Sequence, residues 1–236
     1  MPSVWKTHID GTIYFRTMEK QTLGLPHNFK PAATSSEKAP AIIMLHGYGS
    51  DENDLFSFAS ELPDNYTIIS FKAPLHMQPY GNAWYEIYLD ATNEKFSDNE
   101  QAVVSRDLIA TCIDEAIAAY QLDPSNITLL GFSQGAILSF AVALSYPEKI
   151  KNVIGLSGYI NEDILKEGYA NNDFSSLQVY TSHGSVDQVI PVFLAQKTKP
   201  FLDNLNIECS YSEFPVGHGV APQNFYEFKD WLGKRS

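Results

Sequence analysis

The run Leu129-Leu130-Gly131-Phe132-Ser133-Gln134-Gly135 constrains the fold of this chain more than any other stretch. Just before it, residues 126–130 (Asn-Ile-Thr-Leu-Leu) make a short apolar, β-branched run suited to a strand buried on both faces. After it, residues 133–145 carry Ile137, Leu138, Phe140, Ala141 and Leu144 at helical spacing. The junction is Gly-x-Ser-x-Gly. A strand that turns this sharply into a helix must hold its serine at a strained backbone angle, which lifts the hydroxyl above the sheet. The same geometry explains the glycines: a side chain at 131 or 135 would collide where strand and helix press together.

Other segments read as parts of the same architecture. Residues 41–45, 66–71, 151–156 and 177–181 are apolar runs with the character of buried strands. Residues 51–61 predict an amphipathic helix through Leu55, Phe56, Phe58 and Ala59. A long helix is expected over 98–121, with Val104, Leu108, Ile109, Ile113, Ala116, Ile117 and Tyr120 facing inward and Asp123-Pro124 closing it. Further helices are expected at 191–204 and 222–232. Ile207, Cys209 and Tyr211 alternate with polar residues, which predicts a half-exposed last strand. Near the N-terminus, residues 11–17 alternate as a strand, 21–25 would pair back as an antiparallel edge, and 31–40 make a solvated loop. Residues 75–99 are irregular and aromatic-rich. Residues 158–176 are polar and turn-rich, with one short helix at 162–167. There is neither an internal repeat nor a linker, so residues 1–236 are expected to form one domain.

Strands alternating with helices predict an α/β fold, a mostly parallel sheet covered on both faces. Ligands of such sheets bind outside the carboxyl ends of the strands. His46, Ser133, Asp187 and His218 all follow predicted strands, so they should gather on one edge.

The charge balance narrows the partners. With 28 acidic and 16 basic residues the net charge is −12, which disfavours nucleic acid and anionic membrane surfaces. No run approaches a membrane span, and residues 1–7 lack the basic flank and apolar stretch of a signal peptide. A cytoplasmic setting is expected. The two cysteines, Cys112 and Cys209, have no metal-site spacing and read as buried thiols, with one bridge left open. No H-E-x-x-H, P-loop or dinucleotide fingerprint is present, so neither metal nor cofactor is expected.

A serine hydroxyl becomes a nucleophile when a base takes its proton, and the base should be a histidine held by an acid. Only His183 and His218 follow Ser133. His218 lies in Val216-Gly217-His218-Gly219, after the last strand and before the last helix. His183 precedes every strong acid candidate. Asp187, just after a strand, is the best acid; Glu213 is possible but lies on the last strand itself, while Asp203 sits in a helix and Asp230 follows His218.

At these residues the chain resembles the phospholipase/carboxylesterase family of α/β-hydrolases, the type that includes bacterial carboxylesterases and acyl-protein thioesterases. The matching blocks are Leu45-His46-Gly47-Tyr48-Gly49, Trp84-Tyr85-Glu86-Ile87, Gly131-Phe132-Ser133-Gln134-Gly135, the run from His183 to Pro191, and Gly217-His218-Gly219. The resemblance implies an α/β-hydrolase fold, a Ser133–Asp187–His218 triad, and an oxyanion hole from the backbone N–H groups of Tyr48 and Gln134. It implies hydrolysis of a small-molecule ester or an acylated substrate, with thioesterase and lysophospholipase activity as alternatives, and a ligand receptor on the same scaffold as a rival of another class. Tyr48 stands where many members have leucine, Ser50 where aspartate is common, and Ala136 where a second glycine often follows the elbow. The 158–176 segment is longer than usual. Tyr48 and Trp84 are expected to line the substrate pocket, with Tyr48 favouring short acyl groups. Oligomeric state is not legible.

Overall fold

The apolar runs become neighbouring strands of one sheet in the computed structural model, which describes residues 4–9, 12–17, 19–33, 38–89 and 95–235. In chain order, β1 (Val4–Ile9) and β2 (Thr12–Thr17) pair antiparallel. β3 (His27–Lys30), β4 (Ala39–Leu45) and β5 (Thr67–Phe71) follow. The short strands β6 (Leu75–His76) and β7 (Asn82–Ala83) form one hairpin, β8 (Ile87–Leu89) and β9 (Lys95–Ser97) another. Then come α1 (Asn99–Tyr120), β10 (Leu122–Phe132), α2 (Gln134–Ser145), β11 (Asn152–Leu156) and β12 (Gln178–Gly184). The chain finishes with α3 (Val192–Gln196), α4 (Thr198–Asn204), β13 (Glu208–Phe214) and α5 (Pro222–Gly233).

Seven strands form the central sheet in the order β13-β12-β11-β10-β4-β5-β3, parallel throughout except for β3 at the edge. Alternation along each strand feeds two cores. Ile43, Leu45 and Leu129 point to the face covered by α1 and α2; Ile42, Met44 and Leu130 point to the face covered by α5 and residues 55–62. Both faces are buried, which is why these strands are apolar without a break. This is the α/β-hydrolase arrangement expected. Among the described residues no helix is long and apolar enough to cross a membrane.

Several local expectations are corrected. Residues 51–61 hold turns and a single 3-10 turn at Leu55–Phe58 rather than a helix. Asp51 accepts the Asn53 backbone N–H, and the Ser57 hydroxyl donates to the Asp54 carbonyl, so short polar side chains compete with the helical ladder. The single helix expected at 191–204 is two, because Pro200 cannot donate to the Gln196 carbonyl and its ring crowds that group. β2 pairs with β1, not with residues 21–25, which are irregular; the antiparallel edge is β3. α1 ends at Gln121, whose left-handed φ of 52° stops it before Asp123. Its Val104 faces outward, 66% exposed. The helix expected at 162–167 is a 3-10 turn at Glu162–Ile164, with another at Tyr169–Asn171. Residues 34–37 and 90–94, within the loop and the aromatic-rich stretch, lie outside the described residues, as do Met1–Ser3 and Gly11.

Both cysteines are free; Cys112 is buried, whereas Cys209 is only half-buried. Burial pushes the Cys112 thiol up to about 11 and the Cys209 thiol up to about 12, so neither is a thiolate near neutral pH.

Candidate active site

β10 delivers Ser133 at the centre of the sheet's carboxyl edge. Its φ of 53° and ψ of −117° place a non-glycine residue in a conformation that costs about 1–3 kcal/mol. The turn is held by the Ser133 N–H, which donates to the Leu156 carbonyl at 2.8 Å. It is possible only with glycine on each side. A Cβ at 131 would lie 2.4 Å from the Gly135 carbonyl oxygen, and one at 135 would lie 2.0 Å from the Leu45 oxygen. α2 therefore starts in direct contact with the end of β4.

Two loops bring the partners. The turn after β12 carries Asp187, and the segment after β13 carries His218. They are stitched together, since Ser185 N–H donates to the Phe214 carbonyl at 2.7 Å and Val186 N–H to the Val216 carbonyl at 3.3 Å. Asp187 Oδ1 accepts the N–H groups of Val189 (2.8 Å) and Ile190 (3.0 Å). Its Oδ2 lies 2.7 Å from His218 Nδ1. A carboxylate only accepts, so the proton sits on Nδ1, and Nε2 is left to accept the Ser133 hydroxyl at 2.9 Å. Burial works to raise the Asp187 pKa, but the His218 hydrogen bond and the Ile190 and Val189 N–H groups outweigh it and hold the carboxyl below the usual range. The three expected residues thus meet in one hydrogen-bonded line.

The competing acids are elsewhere. Glu213 accepts from Gln196 and from Tyr211 on the exposed edge strand, and Asp203 pairs with Lys199 on α4. His183 is closer to the site than its place in the sequence suggests. Its Nε2 donates to the Ile190 carbonyl at 2.8 Å and lies 3.2 Å from Asp187 Oδ2. Its place before every strong acid candidate argues against it as the base, yet its i,i+4 spacing to Asp187 just after a strand marks it as a neighbour of the acid.

On the other side of Ser133, β4 ends in a turn carrying His46, Gly47 and Tyr48. Tyr48 is 40% exposed and makes no hydrogen bond among the described residues. The ladder of α2 begins with Ala136 and Ile137, which both donate to the Ser133 carbonyl, so the Gln134 N–H at the helix start has no partner within the helix. Among the described residues, then, the Tyr48 and Gln134 N–H groups, on neighbouring strand ends, are left without a partner close to the serine. Trp84, expected to line the pocket, has no exposed surface. Its indole Nε1–H donates to the His46 carbonyl at 2.9 Å, so the ring packs under the turn. Among the described residues no group of three or more His, Cys, Asp or Glu side chains is placed to hold a metal ion.

Known proteins are similar to this chain in sequence and fold. The sequence profile of the phospholipase/carboxylesterase family matches residues 28–236. A probable carboxylesterase of Oryza sativa subsp. japonica is 25% identical over 212 residues, covering 85% of this chain and 79% of the relative. The acyl-protein thioesterase 1 of Saccharomyces cerevisiae is 27% identical over 207 residues, covering 83% of this chain and 90% of the relative. The crystal structure of the Bacillus cereus carboxylesterase shares the fold at a TM-score of 0.78 with 20% identity, covering 90% of this chain and 95% of that one. With a family match over nearly the whole sequence, the chain belongs to the phospholipase/carboxylesterase family of α/β-hydrolases.

Proposed function

We propose that this protein is a serine hydrolase that cleaves carboxylic esters through an acyl-enzyme, with Ser133 as nucleophile, His218 as general base and acid, and Asp187 as the acid that orients His218. The observation that carries the reading is the continuous line Asp187 Oδ2–His218–Ser133 Oγ at 2.7 and 2.9 Å. Ser133 Oγ attacks the ester carbonyl carbon while its proton passes to His218 Nε2. Asp187 stabilises the imidazolium so formed. The carbonyl oxygen becomes an oxyanion held by the N–H groups of Tyr48 and Gln134. Collapse breaks the ester C–O bond, and the alcohol leaves with the proton from His218. Water then adds to the acyl-serine by the same steps, returning the acid and free Ser133.

We further propose that the exposed Tyr48 ring, carried by the residue assigned one oxyanion donor, narrows the acyl end and favours short acyl groups. A second reading keeps every step and changes the leaving group to a thiol, and the yeast relative named an acyl-protein thioesterase favours it. Matched oxygen esters and thioesters of one acyl chain separate the two.

Ser133→Ala is the direct test. It should leave the fold intact and lower turnover on the order of 10³-fold or more. A serine-directed phosphonate should label the native protein once and the variant not at all. Labelling that persists in the variant places the nucleophile elsewhere.

A further inference from the structure

The two oxyanion donors come from different strands, and their spacing needs a device. Gly131 on β10 pairs in register with Leu45 on β4, so the donors stand on neighbouring strand ends that no covalent link shorter than the sheet connects. Close contact at Gly135 sets a minimum approach. It does not set orientation. A buried circuit of hydrogen bonds does.

The circuit starts at the Gln134 side chain, which is 2% exposed. Its Oε1 accepts the Trp84 backbone N–H at 2.8 Å, and its Nε2 donates to the Tyr85 carbonyl at 2.7 Å. Both ends of the amide are therefore held by one dipeptide. The Ser105 hydroxyl on α1 anchors that dipeptide by donating to the Trp84 carbonyl at 2.5 Å. From the same residue the indole Nε1–H crosses to the His46 carbonyl at 2.9 Å. The His46 ring then donates from Nδ1 to the Gly47 carbonyl at 2.8 Å and accepts the Ala73 N–H at Nε2, at 3.0 Å. The Gly47 carbonyl belongs to the peptide unit whose N–H is that of Tyr48. The circuit thus begins on the residue bearing one donor and ends on the peptide group bearing the other.

We infer that Trp84 and the Gln134 side chain are positioning residues that fix the separation and aim of the Tyr48 and Gln134 N–H groups. The inference rests on the reading of those groups as the oxyanion hole. A transition state is stabilised by donors already in place, and a misplacement of about 1 Å costs on the order of 10²-fold. Because the ground-state carbonyl leans little on these donors, loosening the circuit should act on kcat and spare KM.

Trp84→Phe keeps a ring and removes only the indole N–H. In the full-length protein it should lower kcat about 10- to 100-fold, leave KM within about twofold, and weaken binding of an alkyl boronic acid by the factor lost from kcat/KM. The boronic acid adds to Ser133 Oγ as a tetrahedral adduct whose oxygen occupies the oxyanion position. Gln134→Met, which removes the amide at nearly constant length, should behave alike, and the double variant should lose less than the product of the two. It also reads the circuit if Trp84→Phe melts early. Unchanged kcat, a loss shared equally by KM, boronate affinity that does not follow kcat/KM, or multiplicative effects would each overturn the inference. Turnover surviving in Ser133→Ala instead overturns the underlying site reading.

Discussion

On one side of Ser133 stands His218, its side chain 17% exposed, with a carboxylate on Nδ1 and the serine hydroxyl on Nε2. On the other stands His46, fully buried, with a peptide carbonyl on Nδ1 and a peptide N–H on Nε2. Both rings carry the proton on Nδ1. They differ in what faces that proton and in what faces the lone pair. In the proposed mechanism Asp187 stabilises an imidazolium at His218, whereas a proton on His46 Nε2 would point at the Ala73 N–H and break the bond it accepts. Burial pushes the His46 pKa down, more than the Gly47 hydrogen bond and the nearby Asp51, Asp54 and Glu52 carboxylates push it up. In the proposed mechanism one side of the serine moves a proton and the other keeps still.

Asp187→Asn is the sharpest way to break the first side. Oδ1 must go on accepting from Val189 and Ile190, so the amide oxygen is confined to that position and the NH₂ group faces His218 Nδ1. His218 is then forced into the tautomer protonated on Nε2, which cannot take the serine proton. Turnover should fall on the order of 10⁴-fold, as in the serine-protease case, with the fold unchanged by circular dichroism. Glu213→Gln, on the exposed strand, should cost little. If Glu213→Gln were the damaging change, the acid would be misassigned.

That side of the site was readable in the sequence because each member is announced locally. Ser133 has its glycines, Asp187 and His218 each follow a strand, and a parallel sheet sends all strand ends to one edge. The still side was half-readable. Glycines after β4 marked the turn, but nothing local shows that Trp84 reaches under it or that the Gln134 amide is engaged, since both contacts join residues 38 or more positions apart. Elsewhere, periodicity misread 51–61, where aspartate and serine side chains capture backbone groups, and 191–204, where Pro200 splits the helix. It passed over His27–Lys30, an edge strand whose four residues are mostly half-buried and carry no apolar run. The Ala136 departure has a partner: a Cβ at Gly158 would lie 2.6 Å from the Ala136 methyl, so the extra carbon is accommodated by a glycine on the neighbouring segment.

A smaller effect tests where the still side meets substrate. Any non-proline residue at 48 supplies the N–H, so Tyr48→Leu isolates the ring. If the ring narrows the acyl end, the variant should keep much of the short-chain rate and gain on longer chains. Each methylene admitted to an apolar pocket shifts selectivity by about 1–3 kcal/mol, which a chain-length series of acyl esters resolves. Equal scaling at every length would mean that the ring does not shape the acyl site.

The smallest effect concerns stability. His27, at the far edge of the sheet on β3, is a second buried neutral histidine. Its Nδ1 donates to the Leu25 carbonyl at 3.1 Å and its Nε2 accepts the Tyr120 hydroxyl at 2.7 Å. Burial lowers its pKa, against the opposing pull of the Leu25 hydrogen bond. For His27 and His46 alike the folded pKa lies below 6.5, the value of the unfolded chain. Between the two values the unfolded chain binds more protons. Stability from these groups is therefore complete above pH 6.5 and drains away as the pH falls below it, by up to about 1.4 kcal/mol per pH unit for each group. The Asp187 contribution has the same sign but a lower window, being lost only below 3.8 as the pH falls through its depressed folded value. Urea midpoints should accordingly be lower at pH 5.5 than at pH 7.5. His27→Gln should reduce that difference while leaving ester turnover at pH 7.5 unchanged, because the partners of His27 among the described residues are Leu25, Phe71 and Tyr120, none of them in the candidate site. A full slope in His27→Gln would show that burial of this ring does not oppose its protonation, and the difference would then belong to His46 and the groups around it.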